Sequence, residues 1–257
     1  MFLVLLLLLV AATLSAILCF MKIGIAISYQ GLFADQIDNV SRETERIALV
    51  NCLSWRVANE ANNIIGWWKV PKGCEGYVKE YLLGYGYRSD SKVVIDEAIN
   101  YVETLGLPED GRSIWIFDID ETVLSNVHYF IEHELSGIDP SFSTPEAEVL
   151  RESWKLYNKL LFTGIKIVFL TGRKENKRES TVSNLKKAGY HTWNMLILKS
   201  DGMANKTARE YKSSIRADLE KKGYRIVGNI GDQWSDLLGG SAGRRSFKLP
   251  NPMYYIP

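Results

Sequence analysis

Hydrophobic and polar positions alternate differently in four parts of the chain. From Met1 to Ser28 almost every residue is apolar and Lys22 is the only charge, and the chain turns polar at Tyr29-Gln30. Between Gln36 and Trp68, apolar Ile37, Val40, Ile47 and Val50, then Val57, Ala58, Ala61 and Ile65, recur three or four apart, which predicts helix. Trp55, Trp67 and Trp68 read as packing residues of that region. Pro71-Lys72-Gly73 breaks it. A short helix is predicted over Tyr77–Leu83, stopped by Gly84-Tyr85-Gly86-Tyr87; another begins at Ser89 or Asp90 and runs through Val94, Ala98 and Val102 to Gly106. Residues 29–110 thus form a helical N-terminal region. Pro145–Phe162 is predicted as a helix with Thr144 as cap and Pro145 at its first position, ended by Gly164.

After Gly164 the period switches back and forth between two and 3.6. Lys166–Leu170 reads as strand, Asn176–Ala188 as helix, Met195–Leu198 as strand, Thr207–Lys222 as helix, Arg225–Ile230 as strand and Ser246–Leu249 as an edge strand. Such alternation implies βαβ crossovers, and so an α/β fold: a Rossmann-like parallel sheet with helices on both faces, over about 111–257. The irregular stretch 123–143 would form a small cap. His128 and His133, five apart in it, do not share a helix face, which argues against a two-histidine metal site.

The sharpest chemistry lies where the first core strand ends, Ile114-Trp115-Ile116-Phe117-Asp118-Ile119-Asp120-Glu121-Thr122. With side chains alternating faces, Asp118 and Asp120 at a strand's carboxyl end can point toward one crevice, which is where open α/β sheets bind ligands. Two carboxylates so close resist ionising together unless a cation or a shared proton relieves them. A divalent metal, split acid and base roles, or both would follow; the alternative is a surface turn in which the pair caps the next segment. Three further signals fall at corresponding places: Thr171-Gly172-Arg173 after one strand, Gly231-Asp232-x-x-x-Asp236 after another, and Lys212 early in the helix between them. Lys199 and Lys206 compete with Lys212 as the functional lysine, and Arg173 reads equally as a substrate contact or a helix cap. Trp234, between the two acids, reads as packing.

Composition narrows the partners. A chain of 257 residues with net charge +1 has no basic tract dense enough to follow a phosphate backbone, so no nucleic-acid partner is expected. Residues 1–28 fit a signal peptide with a small-x-small cleavage site at Gly24-x-Ala26 or Ala26-x-Ser28; uncleaved, the run from Phe2 to Phe20 is long enough to anchor the chain in a membrane. Either route enters the secretory pathway, where Cys52 and Cys74 favour a disulfide over two free thiols, and where Asn39 and Asn205 stand in glycosylation sequons.

The motif set Asp118-x-Asp120-x-Thr122, Thr171, Lys212 and Gly231-Asp232-x-x-x-Asp236 resembles the four motifs of the haloacid dehalogenase superfamily in its phosphatase branch. Cys52-Leu-Ser-Trp-Arg, Phe117-Asp-Ile-Asp-Glu-Thr, Phe169-Leu-Thr-Gly-Arg, Tyr211-Lys-Ser, Gly228-Asn-Ile-Gly-Asp-Gln-Trp-Ser-Asp-Leu and Phe247-Lys-Leu-Pro-Asn-Pro-Met-Tyr-Tyr-Ile-Pro are similar to plant acid phosphatases and vegetative storage proteins, from about Val50 to Pro257. The resemblance implies an acid phosphatase acting on small phosphomonoesters, or a nitrogen-storage protein with residual or lost catalysis. Asp118 would be the nucleophile and Asp120 the acid and base; Mg²⁺ would be held by Asp118, the Asp120 carbonyl and Asp232. Thr171, the Gly172 amide and Lys212 would bind phosphate oxygens, with Asp236 orienting Lys212. An extracellular or vacuolar location is implied, and the sequence leaves open a homo- or heterodimer.

Overall fold

A computed structural model describes residues 48–49, 51–133, 135, 139, 144 and 147–257. The expected signal segment and Asn39 lie outside them. The chain divides into two units, Met1–Asn51 and Cys52–Pro257; the second carries everything that follows.

Its centre is a five-stranded parallel sheet of β1 (Ser113–Phe117), β4 (Lys166–Lys174), β5 (Met195–Lys199), β6 (Arg225–Gly231) and β7 (Ser246–Lys248), ordered β5-β4-β1-β6-β7. A two-stranded antiparallel ribbon joins β2 (Leu124–Ser125) to β3 (Glu148–Val149). The helices are α1 (52–60), α2 (Glu75–Leu83), α3 (Tyr85–Glu103), α4 (Val127–Glu132), α5 (Arg151–Phe162), α6 (Arg178–Lys187), α7 (Ala208–Lys221) and α8 (Trp234–Leu237).

Strand β1 is buried at every position, as expected of a central strand covered on both faces. Its alternate residues feed two cores. Trp115 and Phe117 join Ile167, Phe169, Leu156 and Leu160 of α5 and Ile95 and Val102 of α3, whereas Ile114 and Ile116 join Val168, Leu170 and the α7 residues Tyr211 and Leu219. Trp115 stacks on Phe247 at 5.4 Å and 19°. Gly228 makes this fit, since a Cβ there would lie 2.3 Å from the Trp115 ring. A third cluster joins α1, α2 and α4 to the C-terminal tail through Val78, Phe130, Met253 and Tyr254.

Cys52 and Cys74 are disulfide-bonded and sit in that third cluster. Closing a loop across a sequence separation of 22 stabilises by about 3 kcal/mol on the chain-entropy account. Cys52→Ser with Cys74→Ser should therefore lower the unfolding free energy by about that amount in urea titration; an unchanged midpoint would show that the bond stabilises nothing.

Several boundaries differ from the sequence reading, among them that of the helix expected to reach Trp68, which ends at residue 60. Helix α3 begins at Tyr85, not at Ser89 or Asp90: Gly84 alone links the helices, because a Cβ there would press to 2.6 Å of the Glu80 carbonyl oxygen. Gly86 does not stop a helix but lets the Tyr81 ring lie against α3, 2.9 Å from where a Cβ would be. Residues read as the first turns of a helix from Pro145 instead include β3, whose pairing with β2 delays α5 to Arg151; Leu150 N donates to Val123 O at 3.0 Å. Strand β4 also continues through Thr171-Gly172-Arg173, which reads as a turn in the sequence. In the stretch expected to form a cap, Val123, Leu124, Val127 and Phe130 are buried in the cores.

Among the described residues no helix is long and apolar enough to cross a membrane.

Candidate active site

The carboxyl ends of β1, β4 and β6 open on a cleft of about 630 Å³. Asp118 follows the last residue of β1 and extends the ladder, its N–H donating to Ile230 O at 3.0 Å. Asp232 follows the last residue of β6. Parallel neighbours thus bring two residues 114 positions apart to one edge, as the sheet topology requires.

Lys212 reaches the same place from α7. The helix is started by a capping box in which Thr207 and Glu210 satisfy each other's backbone amides. One turn further on, Lys212 is buried and its Nζ donates to Asp118 Oδ1 and to Asp236 Oδ1. Burial alone would lower the ammonium's pKa, but Asp118 and Asp236 outweigh it and hold Lys212 above its ordinary range. Lys199, by contrast, lines the cleft wall and donates to Lys206 O at 2.6 Å, so of the three lysines Lys212 is the one placed on Asp118.

Asp236 is positioned from several sides. Its Oδ2 accepts from Gln233 N at 3.0 Å, and its carbonyl accepts from Asn229 Nδ2 and from the buried guanidinium of Arg216. Gly231 must lack a side chain here, because a Cβ would come within 2.3 Å of Asp236 Oδ2. Asp232 Oδ2 accepts from Gln233 Nε2 and Asn251 Nδ2, each at 2.7 Å, and Oδ1 from Thr122 Oγ1 at 3.1 Å. Asn251 is fixed in turn by Glu60 at the end of α1, which accepts from Asn251 N at 2.9 Å and pairs with Lys248 at 2.7 Å.

Asp120 stands apart from this cluster. Arg173 clasps it through Nε to Oδ2 at 2.9 Å and Nη2 to Oδ1 at 2.7 Å, and Asn126 Nδ2 adds a contact at 3.2 Å. Arg173, read equally as a substrate contact or a helix cap, lines the cleft and also donates from Nη1 to Thr181 Oγ1 of α6 at 3.2 Å. Thr171 is wholly buried, with Oγ1 accepting from Arg173 N at 3.0 Å, and Gly172 lines the cleft. Trp234 packs with its indole N–H on Glu60 O at 3.2 Å; Trp68, read as packing, is exposed and lines the cleft.

Asp118, Asp232 and Asp236 offer carboxylate oxygens that all lie within 4.8 Å of one another, and all three are buried. With Asp120 there are four carboxylates against two cations, Lys212 and Arg173. Burial, and then Asp236, push the Asp232 carboxyl up to about 6. A hard divalent cation with oxygen ligands fits this excess of buried negative charge.

Glu121, Asn126, Gln233, Asn251 and Glu60 are functional supports that the sequence reading missed. Glu121, Gln233 and Asn251 each lie in a string singled out in the sequence, whereas Asn126 and Glu60 carried no signal. Glu121 adopts φ 55°, which lets its N–H reach Leu124 O at 2.7 Å. Fully buried, it accepts from Asn126 N at 2.7 Å and Ser125 Oγ at 3.0 Å. Burial pushes its carboxyl from 4.5 to about 8. Between those values the unfolded chain has released the proton and the folded one keeps it, so stability falls as pH rises across the window. Asp232 acts in the same sense up to about 6. In EDTA, melting temperature should fall from about pH 4.5 to 8, and Glu121→Gln should flatten the upper part, above about 6; an unchanged slope in that variant would refute the assignment.

Residues 38–257 match the family described as HAD superfamily, subfamily IIIB (acid phosphatase). Acid phosphatase 1 of Solanum lycopersicum is 47% identical over 214 residues, covering 80% of this chain and 84% of that one. Vegetative storage protein 1 of Arabidopsis thaliana is 40% identical over 238 residues, covering 88% and 86%. Among solved structures, the class C acid phosphatase of Bacillus anthracis superposes with a TM-score of 0.56 at 20% identity, over 70% of this chain and 85% of that one, a likeness of fold. The chain therefore belongs to the subfamily IIIB acid phosphatases of the haloacid dehalogenase superfamily.

Proposed function

We propose that the chain hydrolyses small phosphomonoesters with Mg²⁺, through a phosphoryl group carried transiently on Asp118. The observation that carries this reading is the Asp118–Lys212–Asp236 arrangement at the cleft floor. A carboxylate held at a strand end, with a buried ammonium beside it, is a positioned nucleophile whose neighbouring cation lowers the repulsion of an incoming phosphate. Asp118 would attack phosphorus in line, forming the new P–O bond as the bond to the leaving oxygen breaks. Asp120, oriented by Arg173, would give the leaving alkoxide its proton and would take one from the water that releases phosphate. Lys212 and the backbone at Gly172 would hold the phosphate oxygens. Thr171 supports from below, its hydroxyl fixing the Arg173 amide.

Asp118 and Asp232, with the Asp120 carbonyl, would hold Mg²⁺, which when bound supplies positive charge for the phosphate. The test is phosphate release from an aryl phosphate by the purified protein. Turnover should require Mg²⁺ and stop in EDTA, and Asp232→Ala should raise the Mg²⁺ requirement or remove activity. Equal rates with EDTA and with Mg²⁺ would contradict the metal assignment.

The 40% identity to a vegetative storage protein favours a second reading, nitrogen storage. Asp118, Thr171, Lys212 and Asp232 are all present, which supports catalysis; protein abundance that tracks nitrogen supply would support storage. The apolar first 28 residues support entry into the secretory pathway, toward the vacuole or the exterior, and Asn205 is exposed as a glycosylation site must be.

A further inference from the structure

The cations at the floor of the cleft are spoken for. Lys212 is shared by Asp118 and Asp236, and Arg173 is taken by Asp120. Two cleft-lining lysines are not. Lys174 and Lys199 are register partners at the carboxyl ends of β4 and β5, and among the described residues neither makes an ion pair. The carboxylates near them have other hydrogen-bond partners: Glu175 is bridged by Arg178, and Glu210, which attracts Lys199 without pairing with it, accepts from the Thr207 amide. Like charges set opposite each other on neighbouring strands repel, and an anion between them removes that cost. Lys199 is half buried, and its proton affinity is lowered by burial first, an effect that Glu210 opposes and Lys174 reinforces.

The place is informative as well. Lys174 lies two residues beyond Gly172 on one strand, so their backbones are about 7 Å apart at ordinary strand rise. An anion between the two lysines would therefore sit a few bonds from a phosphoryl group at Gly172.

We propose that Lys174 and Lys199 form a second anion-binding subsite, so that the preferred substrates are phosphomonoesters whose short leaving group carries a carboxylate or a second phosphate. This rests on the phosphatase reading above. The subsite binds the part of the substrate that departs and takes no part in bond breaking.

Matched esters test it. With Mg²⁺ at low salt, phosphoglycerate should be turned over with kcat/KM about tenfold above glycerol phosphate, the difference falling mainly in KM, and a hexose bisphosphate should likewise exceed a hexose monophosphate. The double variant Lys174→Gln, Lys199→Gln should bring both ratios near one while glycerol phosphate turnover stays unchanged; glutamine keeps a donor for the Lys206 carbonyl. Added salt should narrow the wild-type preference. A preference confined to the bisphosphate would narrow the ligand to phosphate and still support the subsite. Turnover of glycerol phosphate without preference for any anionic partner, or a preference that survives in the double variant, would overturn the subsite alone. No turnover of any ester by folded wild-type protein would overturn the phosphatase reading and this inference with it.

Discussion

Asp118→Asn is expected to cut phosphate release by at least about 10³-fold while leaving the protein folded, because the amide has no charge with which to attack phosphorus. The two halves of this result have separate causes. The asparagine oxygen can still accept from Lys212 Nζ, and Lys212 keeps its partner Asp236, so no buried charge is left alone. One of three clustered buried carboxylates also disappears, which relieves repulsion with Asp232 and Asp236. Melting temperature should therefore stay close to wild type or rise, as followed by circular dichroism alongside the phosphate assay. Loss of activity together with loss of fold would mean that Asp118 is structural.

Lys212→Met should do the reverse on stability. It removes the ammonium that, alone among the described residues, contacts Asp118 and Asp236, both buried, and stranding a buried charge in this way costs about 3–5 kcal/mol. Turnover should vanish as well, since the ammonium is the group placed to offset charge on the transferring phosphate. The double variant Lys212→Met, Asp236→Asn separates the effects: it should recover much of the stability and none of the activity. Urea unfolding and phosphate release on the same preparations read both quantities. If Lys212→Met were as stable as wild type, the three-residue charge cluster would not be intact in solution.

The core α/β alternation was legible because it is local and periodic. Strands β5 and β6 and helix α7 begin and end within one residue of their sequence boundaries, since β-branched runs, the Thr207 cap and Gly223 all act on neighbours. The misread elements are those decided by contacts from afar. Gly84 does end α2, but Gly86 looks like a stop until Tyr81 is seen packed against α3, and residues 148–149 look helical until β2 claims them. The site divides the same way. Asp118, Asp232, Asp236 and Lys212 could be gathered in advance because parallel strands deliver their carboxyl ends to one edge. Nothing local marks Glu60, whose link through Asn251 to Asp232 spans most of the unit, or tells that Arg173 pairs with Asp120, 53 positions away on another strand's exit.

The central claim is that the phosphoryl group passes through Asp118, and the most direct measurement traps it there. The protein is mixed with a phosphomonoester and Mg²⁺, quenched in acid within a turnover, digested and read by mass spectrometry. The account predicts one phosphoryl group on the peptide containing Asp118, localised to that residue and absent from Asp118→Asn. A phosphoryl group on any other residue, or undiminished phosphate release by Asp118→Asn, would contradict it.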